Sequence, residues 1–217
     1  MKKSLLVCVI LMSLTLFCAC ERSENDLIGA WYNESERMVL IFSDGGKLTR
    51  YNISISWRSN PEIHTSSFKY NLTGDNQIAV TGDGSPASAT YTYQVSGNSL
   101  QLSENGASFR LTRAKKTTKA TNKIVGQWHL IGVENSGDTN YKRHLYEITF
   151  YSDGTMRGKK DNQWNETETV SGTYSFLHDG TTLQMAYPIA EESAVNFPCD
   201  DVMILHTYTG ELLYIAQ

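Results

Sequence analysis

Apolar and polar side chains alternate along most of the chain. Segments such as residues 90–95 and residues 144–150 place an apolar or aromatic residue at most alternate positions. A period of two is typical of β-strands that bury one face, because successive side chains point to opposite faces. Turns rich in Gly, Asn and Asp separate these segments, and such residues tolerate the positive φ of tight hairpins. The pattern predicts an antiparallel sandwich or barrel.

One segment departs from this pattern. Residues 188–195 (PIAEESAV) place a proline at the first turn and acidic residues close behind it, which favours a helix. The sequence therefore predicts an all-β chain in which the second half also contains one short helix, either plugging or flanking the second barrel.

Two halves of the chain repeat the same landmarks in the same order, which indicates tandem copies at residues 27–113 and 124–217. In this alignment, residues 95–100 match residues 208–213, so the second copy lacks a counterpart of residues 109–112. We therefore expect a more open second barrel, or one that borrows an edge from its neighbour. The landmarks are Gly29, Trp31, Asp44 and Gly45 in the first copy, and Gly126, Trp128, Asp153 and Gly154 in the second.

The copies are joined by residues 114–123, which contain four lysines and no aromatic or large aliphatic side chain. This composition is typical of a solvated linker. A basic patch for an anionic lipid or a glycan is the alternative interpretation.

The N-terminus has the features of an export signal. Two lysines precede a mostly apolar run that is too short for a transmembrane helix. The following Cys18-Ala19-Cys20 resembles a bacterial lipoprotein signal, which implies cleavage after residue 19 and acylation of Cys20. Residues 20–26 would then form an acidic tether. The alternative is an ordinary secretory signal with incidental cysteines.

The repeated motifs resemble those of the lipocalin-like domains of Gram-negative lipoproteins. The similarity lies in the Gly-x-Trp strand, the Ser-Asp-Gly hairpin and a later Tyr-containing strand. It implies two small antiparallel lipocalin-like β-barrels, in which Trp31 and Trp128 each close one barrel end. It also implies a cell-envelope protein held in the outer membrane by N-terminal acyl chains, facing the periplasm or the cell exterior.

Composition narrows the class of partner. The chain has 217 residues, 19% charged residues and a formal net charge of −4, without a long basic block. A mildly acidic chain of this kind argues against nucleic-acid binding. Only Cys199 remains in the predicted folded part, so no intramolecular disulfide is expected, and its apolar neighbours predict a buried thiol.

Catalytic and metal-binding motifs do not stand out. The five histidines are scattered, and neither a nucleophile elbow nor a phosphate-binding loop is present. We therefore expect a protein that is not an enzyme and has no cofactor or metal.

Aromatic residues are the remaining candidates for a binding site. Trp57 and Trp164 occupy comparable places in the two copies, and Tyr141 lies in a long connection of the second copy that is suited to form a lid. These residues predict binding of a small apolar molecule or a glycan. The alternative is a structural or protein-interaction lipoprotein whose barrels are filled by side chains.

Overall fold

The computed structural model describes residues 26–54, 62–74, 76–82, 88–115, 122–131, 144–162, 164, 166–177, 181–187, 189–207 and 210–217. The described residues form sixteen strands, arranged as two closed antiparallel barrels that follow one another along the chain. The predicted all-β class with two tandem barrels is confirmed. Within these residues, no helix has the length and apolar character needed to cross a bilayer.

Each strand of the first barrel pairs with the next one along the chain. The last strand then pairs with the first, and Trp31 lies opposite Arg113 where the barrel closes. The strands are β1 (Gly29–Asn33), β2 (Met38–Ser43), β3 (Lys47–Ser54), β4 (Glu62–Gly74), β5 (Gln77–Gly82), β6 (Ser88–Ser96), β7 (Ser99–Glu104) and β8 (Ala107–Arg113).

The second barrel has the same order and also closes. Its first strand pairs with both the second and the last strand, so that Trp128 lies between Ile148 and Ala216. The strands are β9 (Gly126–Leu130), β10 (Glu147–Phe150), β11 (Thr155–Asp161), β12 (Thr167–Leu177), β13 (Thr182–Tyr187), β14 (Ile189–Cys199), β15 (Val202–Thr207) and β16 (Gly210–Ala216).

The prediction of a more open second barrel, or of one that borrows an edge from its neighbour, is wrong, because its own eight strands close it. β15 pairs with β16, and β16 pairs with β9, so this last hairpin corresponds to β7–β8, whereas residues 97–98 join β6 to β7. The alignment of the two copies by sequence is therefore displaced by one hairpin. The counterpart of β8, which the alignment left without a match, is β16. Short turns with Gly, Asn or Asp occur at several hairpins, so a single turn of this kind does not fix the alignment.

The predicted helix is also wrong, because residues 189–195 belong to β14, while residue 188 lies outside the described residues. That strand pairs with β13 on one side and β15 on the other. Along it, Ser193 and Val195 are buried while Glu192 and Ala194 are exposed, which is the alternation of a strand. Pairing on both sides supplies partners for the backbone N–H and C=O groups, and this tertiary context overrides the local helix preference.

The two barrels share the interactions that close one end. Trp31 Nε1 donates to the carbonyl of Leu27 over 2.7 Å, and Trp128 Nε1 donates to the carbonyl of Ile124 over 2.7 Å. Both indole rings are fully buried. A buried Trp N–H needs an acceptor, and in both copies the chain just before the first strand supplies it.

A second shared feature lies at the hairpin between the second and third strands. Tyr70 N donates to the carbonyl of Gly46 over 2.7 Å, and Tyr174 N donates to the carbonyl of Gly154 over 2.8 Å. Gly46 has a φ of 74°, and a Cβ there would lie 2.6 Å from the Tyr70 carbonyl oxygen. This close approach requires glycine.

An apolar cluster lies between the barrels. It joins outward-facing side chains of β1–β3 to those of β15 and β16, and Ala114, at the start of the predicted linker, is buried in it. Backbone contact accompanies it, since Lys115 N donates to the carbonyl of Ala216 over 3.2 Å. Residues 116–121 lie outside the described residues. The cluster contains Ala30, Val39, Ile41, Tyr51, Ile53, Ala114, Ile131, Val202, Ile204, Leu213 and Ile215.

Cys199 packs beside this cluster and is partly buried. Burial raises the pKa of its thiol to about 11. The thiol is therefore protonated at neutral pH and is a poor nucleophile.

Candidate functional site

The interior of the first barrel contains a cavity of about 320 Å³. This volume lies at the low end of the range of roughly 300–1,000 Å³ that is usual for small-molecule sites. The walls are mostly apolar because alternate residues of β2–β8 point inward. The lining residues are Met38, Leu40, Phe42, Leu48, Arg50, Phe68, Ile78, Val80, Gly82, Ala89, Tyr91, Leu102 and Phe109.

The end of the barrel at Trp31 is closed. Leu27, Leu100 and Leu111 are fully buried there. The Arg113 guanidinium lies 4.1 Å from the centre of the Trp31 ring, and it donates hydrogen bonds to the carbonyls of Ile28 and Asp26. Partial burial lowers the pKa of Arg113, which remains charged at neutral pH. This end is a packed and hydrogen-bonded floor for the cavity.

At the opposite end of the cavity, the charged side chain among the described lining residues is Arg50. On β3 it follows the inward-facing Leu48 by two residues, and it lies opposite Leu40 of β2 and Ser66 of β4. Arg50 Nε donates to Asn52 Oδ1 over 2.9 Å, and the side chain is exposed. We call this end, marked by Arg50, the mouth.

Tyr91 also lines the cavity near the mouth, on β6. Burial is the main reason that its pKa is raised, followed by the charge of Glu104 and hydrogen bonding to that carboxylate, while the charge of Arg50 acts in the opposite direction. The Tyr91 hydroxyl is therefore neutral at physiological pH. The mouth offers a phenol, a carboxylate and a guanidinium above apolar walls.

The second barrel has a glycine, Gly158, at the position of Arg50. Gly158 lies opposite Ile148 in β10, as Arg50 lies opposite Leu40 in β2. A Cβ on Gly158 would lie 2.9 Å from Leu145 Cδ2, and Leu145 is 3% exposed. The segment just before β10 therefore fills the volume that stays open in the first barrel.

A second difference between the two barrels lies in the next pair of strands, where the positions of an aromatic residue and a glycine are exchanged. In the first barrel, Phe68 lies opposite Gly82, and both line the cavity. In the second barrel, the residue in the place of Phe68 is Gly172, and a Cβ there would overlap the carbonyl of Ala186 and lie 2.9 Å from Tyr187 Cβ. In the second barrel the large side chain is on the adjacent strand, where Tyr187 packs against the core.

Of the aromatic residues predicted as ligand contacts, Trp164 is the one that lies among the described residues, and it does not line this cavity. Trp164 lies in the turn between β11 and β12 and is 74% exposed. Asn162 Oδ1 shapes this turn by accepting from Trp164 N over 2.8 Å and from Glu166 N over 3.0 Å. Trp57 and Tyr141 lie outside the described residues, as does Cys20.

The Asp-Gly landmarks have a structural place. Asp44 and Gly45 lie in the turn between β2 and β3, and Asp153 and Gly154 lie in the corresponding turn between β10 and β11. Asp153 Oδ1 accepts from Thr155 N and Oγ1 over 2.9 and 2.6 Å. These bonds lower the pKa of Asp153 and identify it as a turn residue.

Metal-ligating side chains do not cluster in the part of the chain that the structure describes, where no group of three or more His, Cys, Asp or Glu residues could hold an ion.

No family model matches the sequence, and neither the curated proteins nor the solved structures give a significant match. Two tandem eight-stranded barrels are the fold. The cavity of the first barrel is therefore the candidate binding site.

Sequence reasoning missed the residues of this site, although a signal was present. Leu48, Arg50 and Asn52 share one face of β3, and Leu48 belongs to the interior. A charged residue that shares an inward face with core residues marks an opening or a polar contact.

Proposed function

We propose that the protein binds a small, mainly apolar molecule inside the first barrel, and that the second barrel is a filled structural partner. The observation that supports this proposal is the cavity of about 320 Å³ with apolar walls. Among the described lining residues, the polar groups are those of Arg50 and Tyr91 near the mouth, and this lining supports binding of an apolar molecule.

The energetics favour an apolar ligand over a glycan. Each methylene that enters an apolar cavity contributes about 0.8 kcal/mol. The walls offer few partners for hydroxyl groups, and a buried hydroxyl without a hydrogen bond costs about 1–3 kcal/mol. A closed barrel is also largely formed before binding, which reduces the entropy lost by ordering the site.

The second barrel supports the alternative role of contact with another macromolecule. Among its described residues, side chains such as those of Leu145 and Tyr187 pack into the interior, and Trp164 is 74% exposed. Under this alternative, the first barrel binds no small molecule, and the loss of Trp164 weakens attachment to a protein or glycan partner.

A filling substitution separates these two functions. Ala89 lines the cavity, and Ala89→Trp should occupy it, whereas Thr90→Trp adds the same ring on the exposed outer face of β6. We expect isothermal titration with decanol to detect binding to the wild type and to Thr90→Trp, and at least tenfold weaker binding to Ala89→Trp. Absence of decanol binding to the wild type, or undiminished binding to Ala89→Trp, would refute the proposal.

We propose that the protein is a lipoprotein of the outer membrane, similar in organisation to the lipocalin-like lipoproteins of Gram-negative bacteria. The support is the sequence resemblance of residues 1–20 and the tandem barrels. Two or more acyl chains on Cys20 would hold the barrels at a bilayer, at about 0.8 kcal/mol per buried methylene.

The anchor is tested by Cys20→Ala with Cys199→Ala as the matched cysteine control. Cys20→Ala should leave soluble protein or an uncleaved precursor, whereas Cys199→Ala should fractionate with membranes like the wild type. A Cys20→Ala protein that is still processed and still bound to membranes would contradict the assignment.

A further inference from the structure

We infer that the ligand of the first barrel has an anionic group, such as a carboxylate, at one end of its apolar body, and that Arg50 binds this group at the mouth. This inference rests on the proposed function and specifies the ligand class for the same cavity.

The position of Arg50 is the first argument. Hydrocarbon side chains lie beside it on the cavity wall, Leu48 on the same strand and Leu40 on the adjacent one. A ligand whose apolar body lies among these side chains would place its end group beside the guanidinium.

The hydrogen-bonding capacity of Arg50 is the second argument. A guanidinium has five N–H donors in a planar fork that matches a carboxylate. Only the Nε donor is used among the described residues, in the bond to Asn52 Oδ1, and no described carboxylate lies within 4.0 Å of the guanidinium. Among the described residues, the two terminal nitrogens therefore have no partner that would compete with an incoming anion.

Two other described polar groups near the mouth have a partner or an unsuitable charge. Glu104 lies beside Tyr91, and its negative charge would repel an anionic group placed there. An anionic group would therefore lie closer to Arg50 than to Glu104. His64 Nε2 lies 3.0 Å from Ser54 Oγ, on the extended part of the β3–β4 pair. The guanidinium is the group best placed to recognise a ligand by charge.

The second barrel provides the third argument. The position equivalent to Arg50 is Gly158, and Leu145 fills the space above it. An inward-facing arginine thus occurs in the barrel that has the cavity and is replaced where that volume is filled.

Three probes with the same chain and different head groups test the inference: decanoate, decanol and decyltrimethylammonium. The protein is the whole predicted mature chain, residues 20–217, with Cys20→Ala so that no acyl group competes for the cavity. We expect decanoate to bind about tenfold more tightly than decanol, since hydrogen bonds to a charged group are the stronger ones. The cationic probe should bind most weakly.

Arg50→Gln should lower decanoate affinity about tenfold and leave decanol affinity unchanged. Arg110→Gln is the matched control, because Arg110 is exposed on β8 and does not line the cavity. Arg50→Lys keeps the charge without the fork, so it should retain part of the preference for decanoate. Thermal melts of all variants report whether each is folded.

The outcomes separate this inference from the proposed function. Equal affinities for decanoate and decanol in the wild type, or equal losses for both probes in Arg50→Gln, would overturn the anion inference and leave apolar binding intact. Binding of neither probe would overturn both. A preference for decanoate that disappears only in the Arg50 variants supports the inference.

Discussion

At one end the two barrels share a buried Trp and its hydrogen bond, whereas at the opposite end they differ. Each closed end has a buried Trp whose indole N–H bonds to a carbonyl four residues earlier. At the mouth, Arg50 of the first barrel is replaced by Gly158, and Leu145 occupies the freed space. The two barrels thus keep the same fold and the same buried Trp at one end, while the side chains at the other end differ and leave a cavity in the first barrel.

The largest effects should come from removing the shared closed end. Trp31→Ala and Trp128→Ala each delete a fully buried ring and its hydrogen bond. We expect each to lower the free energy of unfolding by about 3–5 kcal/mol, measured by urea denaturation. If one variant lost this much and the other under 1 kcal/mol, the closed ends would not be equivalent.

Leu145→Ala should convert the filled barrel toward the hollow one. Leu145 is buried against Gly158, so its truncation leaves a void, and we expect a loss of about 2–5 kcal/mol. Leu40→Ala is the control, because Leu40 already borders the cavity and should lose only about 1–2 kcal/mol. A cost for Leu40→Ala equal to or above that for Leu145→Ala would contradict the distinction between hollow and filled interiors.

A smaller effect is expected where the two barrels meet. Cys199 lies at the end of β14 beside the shared apolar cluster, and its raised pKa of about 11 compares with an ordinary value near 9.0. A raised pKa contributes stability that is fully present below pH 9 and is lost as the pH rises through 11. The contribution is on the order of 2 kcal/mol.

Comparison of the wild type with Cys199→Ala measures this contribution, because the tyrosines titrate in both proteins. The stability difference between the two should change between pH 9 and pH 11 and be constant below pH 9. A difference that does not vary with pH would show that the thiol is as accessible in the folded chain as in the unfolded one.

The sequence was sufficient to predict the fold class, because alternation and repeated landmarks are local properties of strands and hairpins. It misled at β14, where a helix-favouring segment pairs on both sides, and at β16, where a common turn motif was matched to the wrong hairpin. Both errors concern pairing between distant segments, which local preference does not specify.

The cavity was beyond what sequence patterns predict. Phe68 with Gly82 leaves a lumen, while Gly172 with Tyr187 fills one, although both pairs contribute one aromatic ring and one glycine. Whether a barrel is hollow depends on the three-dimensional packing of such pairs, together with a segment such as the one that contains Leu145. The signal that was available is the position of Arg50 on an inward face.

The stoichiometry of apolar binding tests the central claim, that one barrel is hollow and the other is filled. Isothermal titration of the mature chain with decanol should give one molecule per chain, and this binding should be lost in Ala89→Trp, which fills the first barrel. Two molecules per chain, or one molecule that remains bound to Ala89→Trp, would contradict the account.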